Sequence, residues 1–248
     1  MNTSKKNNKT IQQIVSPFEY IYGKAKAIVY ANEAIKEIDE ITDFAFTSKY
    51  MLKINDQDNG IGGECIYLKK PLKSIITVNG IKNITPEVIA HEIYHIAQGE
   101  YRSIFENPYS EISLAGEGVS RANAIWHGFD EAGAYLFGVY FDKKKKKEDY
   151  TLGSLLYVLL DRSKKTIYEH KNSFLETVFD KKSPLYIISP IIISTPLVIS
   201  QDEGYDIKRI FKILLSDPVE IYLRIYEDKK ENVEKKIDNA IKLILRKS

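Results

Sequence analysis

The chain has 248 residues, of which 44% are hydrophobic and 28% charged, enough to bury a core without staples and unlike a disordered chain. Its formal net charge of +2 supplies no strong field that would argue for nucleic acid as a partner. A single cysteine, Cys65, excludes an internal disulfide framework, fits a reducing compartment, and is expected to serve as a small buried hydrophobe.

The first ten residues, Met1 to Thr10, are polar and lysine-rich and read as a frayed tail. They contain no apolar run of the kind a secretory signal needs, so a cytoplasmic location is expected. Residues 11–40 space their apolar positions as a helix does. From Phe44 onward the texture changes: Asp56 to Gly60 and Gly62-Gly63 are turn signals. Cys65 to Leu68 and Ser74 to Val78 read as strands rich in β-branched residues, and Asn79-Gly80 as the turn after the second.

Thr85-Pro86-Glu87 opens a helix, with Thr85 as N-cap, proline at the first helical position and a carboxylate at the positive dipole end. This helix is expected to reach about Gln98, with Gly99 as its stop. Ser110 to Trp126 and Asp130 to Phe141 read as two further helices, and Lys143 to Lys147 as a solvated loop. Beyond it the texture is helical: Leu152 to Asp161, Ile167 to Phe179, Ile207 to Leu215 and the amphipathic stretch Val219 to Leu245. The most apolar segment, Leu185 to Ile199, is interrupted by Pro190 and Pro196 and falls short of the roughly 20 unbroken residues of a membrane span. It is expected to be buried in the core. No solenoid repeat and no clear linker divides the chain. The expectation is one α+β domain: a small sheet packed on a helix in residues 11–99, then a mostly helical part in 100–248.

The chemistry concentrates in His91-Glu92-Ile93-Tyr94-His95. Two histidines four apart on a helix share one face, one turn apart, which suits two ligands on one metal ion. Glu92 follows the first histidine and points to the side of the pair. A carboxylate there can take the proton of a water activated by zinc and pass it to a departing amine. With four histidines and 20 glutamates, a shuffled chain of this composition would show the pattern in about 0.4% of cases.

Zinc sites that catalyse use three protein ligands and keep a fourth position for water. Two glutamates are candidates for the third. Glu117 lies in Leu114-Ala-Gly-Glu-Gly-Val-Ser120, where small neighbours would let its helix approach the metal. Glu131 lies in Asp130-Glu-Ala-Gly-Ala-Tyr-Leu-Phe-Gly138, at the expected start of the next helix, where a carboxylate is favourable in any case. Among other polar residues, His127 is expected at a helix end and His170 in solvent, while Tyr94 falls on a different face from the histidines and reads as core. Tyr101 and Tyr135 are better placed to meet a transition state.

The motif at 91–95, followed by Gly116-Glu-Gly-Val-Ser120, resembles the gluzincins, the thermolysin-like and aminopeptidase-like zinc peptidases. The likeness covers roughly residues 60–140. It implies a zincin-like fold, zinc held by His91, His95 and Glu117, Glu92 as general base, and a peptide or protein substrate. It also implies an edge strand before the motif helix that binds substrate by strand addition, either Cys65 to Leu68 or Ser74 to Val78. The position one turn after Glu117, acidic in some gluzincins, is Arg121. Glu131-x-x-Ala134 with Phe137 in turn resembles a ligand helix of other peptidases with this motif, so Glu131 stands as the alternative. A second class of zinc peptidases carries glycine three residues after the second histidine and another histidine six after it. Gln98 and Tyr101 occupy those places and exclude that class.

The expected function is therefore zinc-dependent hydrolysis of peptide bonds. The alternative is a zinc-stabilised binding or regulatory protein on the same scaffold with little turnover. Nucleic-acid-linked proteolysis would rest on the lysine runs alone.

Overall fold

The computed structural model describes residues 17–45, 47, 49–55, 62–68, 73–104, 121–155, 158, 204–216, 231, 232 and 235, with the backbone course alone at 66–68, 73, 102–104 and 121–129. The expected elements at 110–120, 159–203 and 217–230, Glu117 among them, lie outside these residues, as does the apolar segment Leu185 to Ile199. Among the described residues no helix is long and apolar enough to cross a membrane.

Helix α1 spans Pro17–Thr42 and buries Gly23, Ala27, Ala31, Ala34, Ile38 and Ile41, one stripe at three- and four-residue spacing. The side chains on this stripe are small where the helix meets its neighbours: a methyl at Gly23 would come within 2.9 Å of Ile84 Cδ1. It ends at Asp43, whose φ of 56° is left-handed and whose N–H donates to Asp39 O at 3.1 Å.

Three strands follow: β1 (Lys49–Asn55), β2 (Gly63–Leu68) and β3 (Lys73–Asn79), in the order β1-β3-β2. β3 is central. It runs parallel to β1 and antiparallel to β2, with Leu52 opposite Ile76 and Cys65 opposite the same residue. The sequence reading left β1 out, although its alternation is plain: Leu52 and Ile54 are buried between exposed Lys49, Met51, Lys53 and Asn55. β3 is paired on both sides, so Ser74 to Val78 cannot be an edge strand, and of the two strands considered for that role only β2 qualifies. Gly80 turns the chain with φ 85° and donates its N–H to Asn55 O at 2.8 Å. Cys65, expected to be buried, is half-buried on β2.

Helix α2 (Pro86–Ile104) starts as its sequence dictates: Thr85 Oγ1 accepts from Val88 N at 3.2 Å, and Thr85 O from Ile89 N at 3.2 Å. It does not stop at Gly99. Glycine costs about 1 kcal/mol against alanine inside a helix, and the burial of Ile96, Ala97 and Glu100 around it outweighs that. Glu100 is fully buried and accepts from the backbone and hydroxyl of Thr47, which ties the stretch between α1 and β1 to this helix.

Helix α3 (Arg121–Lys146) is one continuous element where two helices and a loop were expected. His127-Gly128-Phe129 lies within it, so Glu131 sits three turns inside rather than at a helix start. The lysine run is its last turn and not a solvated loop. Lysines suit the negative end of the dipole, and here they find acids: Lys144 pairs with Glu37 at 2.6 Å, Lys145 with Glu33 at 2.8 Å, and Lys146 with Asp142 at 2.6 Å. Glu37 also accepts from Tyr140 at 2.7 Å, joining α3 to α1. Lys147 ends the helix at φ 59°, with Glu148 N donating to Lys143 O at 2.9 Å.

Helix α4 (Ile207–Ser216) closes the core behind α2. Phe211 meets Phe137 and Tyr140 at centroid distances of 5.5 and 5.4 Å, and its carbonyl accepts the Tyr94 hydroxyl at 2.9 Å. Tyr94 is fully buried, a core residue as expected. α2 is thus held by the sheet, by α1, by α3 and by α4, and only a narrow face of it can serve chemistry.

Candidate metal centre

That face carries His91 and His95, and α3 brings Glu131 against them. His95 Nε2 lies 3.1 Å from His91 Nε2 and 3.2 Å from Glu131 Oε1, and His91 Nε2 lies 3.5 Å from Glu131 Oε2. A zinc ion bound tetrahedrally at about 2.0–2.2 Å from nitrogen and oxygen ligands separates its donors by about 3.3–3.6 Å. Two of the observed distances, 3.1 and 3.2 Å, fall just short of that span and the third, 3.5 Å, lies within it, so one ion could touch all three groups with little movement. Among the described residues these are the three whose donor atoms group closely enough to hold a metal ion. Their side chains are 15%, 19% and 16% exposed, so each is largely but not wholly buried.

Small residues make the approach of α3 possible. A methyl at Gly138 would meet the backbone carbonyl oxygen of Glu87 at 2.8 Å, and one at Gly133 would meet Tyr94 Cε1 at 2.7 Å. The sequence reading gave small neighbours that role at Glu117 and placed Glu131 at the start of a separate helix, where one helix in fact runs through.

Charge follows the geometry. Burial would lower the basicity of His95, but the Glu131 carboxylate, by its charge and hydrogen bond, raises it, with smaller help from Glu92 and Asp130. Burial and the neighbouring His95 lower that of His91, against the pull of Glu131. The carboxylate thus favours positive charge at the histidine pair, most of all on His95. A dication there would satisfy the same negative charge.

Glu92 is 4% exposed and lies between α2 and β2. Burial pushes its carboxyl up to about 7; His95 opposes the rise, while Glu131 and Glu64 add to it. Burial, and the Glu92 charge after it, also push the Cys65 thiol up, which disfavours its thiolate. A methyl at Gly63 would come within 2.8 Å of Glu92 Oε1 and 3.1 Å of its Cγ. The atom in the way is the free end of a side chain, so the fold would yield at little cost while the carboxylate turned away. Gly63→Ala is expected to melt within a few degrees of the parent, yet lose on the order of 100-fold in hydrolysis, the scale of a small misplacement of a reacting group. Paired calorimetry and rate measurements check this; an unchanged rate would show that the Glu92 position does not matter.

The other candidates fall into place around this core. Tyr135 stands edge-on to His91 at 4.6 Å between centroids. Tyr101 packs on Phe44 at 5.2 Å. His127 lies within α3, its side chain outside the described set, and His170 and Glu117 lie outside the described residues. Gln98, read in the sequence only for the class it excludes, lies against the centre: its amide oxygen is 2.9 Å from His95 Nδ1. It is three residues after His95, one helical turn on the same face, and that spacing could have found it. Comparison of the chain with protein-family models, curated proteins and solved structures finds no match.

Proposed function

We propose that the protein is a zinc-dependent hydrolase of peptide bonds, with His91, His95 and Glu131 as the metal ligands and Glu92 as the general base. The observation that carries this reading is the triangle of ligand residues, joined by contacts of 3.1, 3.2 and 3.5 Å with a different Glu131 oxygen facing each histidine, beside a buried carboxylate on the same helix as the histidines. When bound, zinc would acidify a water to a pKa of about 7 and polarise a carbonyl oxygen. Glu92 takes the proton of the attacking water and returns it to the departing amine nitrogen. β2, a sheet edge among the described residues and the strand against which Glu92 rests, would offer its outer backbone groups to an extended peptide. That strand makes a peptide the favoured substrate over a small ester or amide. The zincin-like fold and the gluzincin likeness belong to the same proposal. The lysines at 143–146 pair with acids of the chain, so this run lends little support to nucleic-acid-linked proteolysis.

Metal removal tests the reading. Hydrolysis of a quenched-fluorescence peptide library is expected to vanish on treatment with 1,10-phenanthroline and to return with one equivalent of zinc per chain. Hydrolysis indifferent to the chelator would sink the mechanism. A chain that binds one zinc tightly and cleaves nothing would instead be the zinc-stabilised binding module.

A further inference from the structure

We propose that Gln98 is the positioning residue of the centre: one side-chain amide fixes the ring of His95 for the metal and pins the turn of α3 that carries Glu131. The role rests on the metal reading above. Gln98 is 1% exposed, and both ends of its amide are used. Nε2 donates to Asp130 O at 3.0 Å, and Oε1 lies 2.9 Å from His95 Nδ1.

The amide orientation follows from chemistry. A backbone carbonyl can only accept, so the group facing Asp130 O is the NH2. The oxygen then faces the imidazole and can only accept, so Nδ1 of His95 carries the proton. Its Nε2 is left to the cluster formed with His91 and Glu131. Partners of this kind fix the tautomer and the ring orientation of metal-bound histidines.

Asp130 adjoins Glu131, so the same amide holds ligands from two helices in register. Gly133 makes room for it: a methyl there would crowd Gln98 Nε2 at 3.1 Å. The residue type is dictated as well. A glutamate would still accept from His95 but would set its second oxygen against the Asp130 carbonyl. A methionine of similar volume can do neither.

The experiment uses the full chain and zinc alone. Zinc affinity is measured by competition with a chromophoric chelator for the parent, Gln98→Met and Gln98→Glu. The imidazole N–H protons of the zinc-loaded proteins are followed by proton–nitrogen NMR. The parent is expected to show a slowly exchanging, low-field Nδ1 proton on His95. In Gln98→Met that proton exchanges away and zinc binding weakens between about 10- and 100-fold, the usual cost of losing such a partner. Gln98→Glu keeps the low-field proton, because its carboxylate still accepts, which a merely space-filling role would not require. The proposal is overturned if Gln98→Met binds zinc within twofold of the parent or keeps the protected proton. Should that variant not fold, loss of the low-field proton in folded Gln98→Glu overturns it equally. Failure of the metal reading has its own signature, a parent chain that takes up no zinc, and removes this role with it.

Discussion

Replacing Glu131 by alanine is expected to weaken zinc binding by more than about 100-fold, beyond the cost of any supporting partner, while Glu117→Ala leaves it within about threefold. The asymmetry follows from the triangle. Glu131 offers one oxygen to each histidine, at 3.2 and 3.5 Å, and its charge is what raises the basicity of His95. Without it the centre keeps two neutral imidazoles, which supply neither the third donor nor the negative charge that a dication needs. Glu131→Gln separates these two losses: its amide oxygen can still coordinate but brings no charge, so an intermediate affinity is expected. The measurement is competition with a chromophoric chelator on the three variants, with circular dichroism to show that each is folded. Retained zinc in Glu131→Ala together with lost zinc in Glu117→Ala would place the third ligand on Glu117, the assignment that the gluzincin likeness implies.

The two histidines, Glu92 and the helix that carries them were legible because their signals are local. Thr85 and Pro86 announce the helix start, and the four-residue spacing puts two imidazoles on one face whatever the rest of the chain does. Glu131, named from the sequence only as the alternative to Glu117, was less legible, since its nearness to the histidines depends on how closely a second helix approaches. That approach is decided by Gly133 and Gly138, which a sequence reading registers only as small residues. It also depends on where α3 begins, and a break was expected between Trp126 and Asp130, where Gly128 lies. Within a helix it costs about 1 kcal/mol, less than the burial of Leu136, Phe137 and Tyr140 on the same element provides. The lysine run misled for a similar reason. Five lysines in a row look like a loop until Glu33 and Glu37 on α1, and Asp142 one turn earlier on α3, are known to pair with them. β1 was missed although it alternates, because Lys49 and Lys53 make its exposed side strongly polar and only Leu52 and Ile54 are buried on the other.

Glu92→Gln is expected to bind zinc as the parent does and to lose about 10²- to 10⁴-fold in kcat, the range that a positioned general base contributes. The amide matches the carboxylate in shape, so it fills the same space against Gly63 and leaves the packing of α2 on β2 intact. It cannot take a proton from water. The carboxylate it replaces is suited to that task because burial has raised its basicity towards neutrality, so that it can both accept the proton and release it to an amine. Glu92 is not a vertex of the donor triangle, so zinc affinity should change little. Loss of both properties together would mean that Glu92 binds the metal or holds the fold. Undiminished hydrolysis in a zinc-loaded variant would leave the attacking water without its base and end the proposed mechanism. The same pair of measurements separates enzyme from scaffold: a chain in which parent and variant bind zinc equally and neither turns over peptide uses the centre to hold its two helices together.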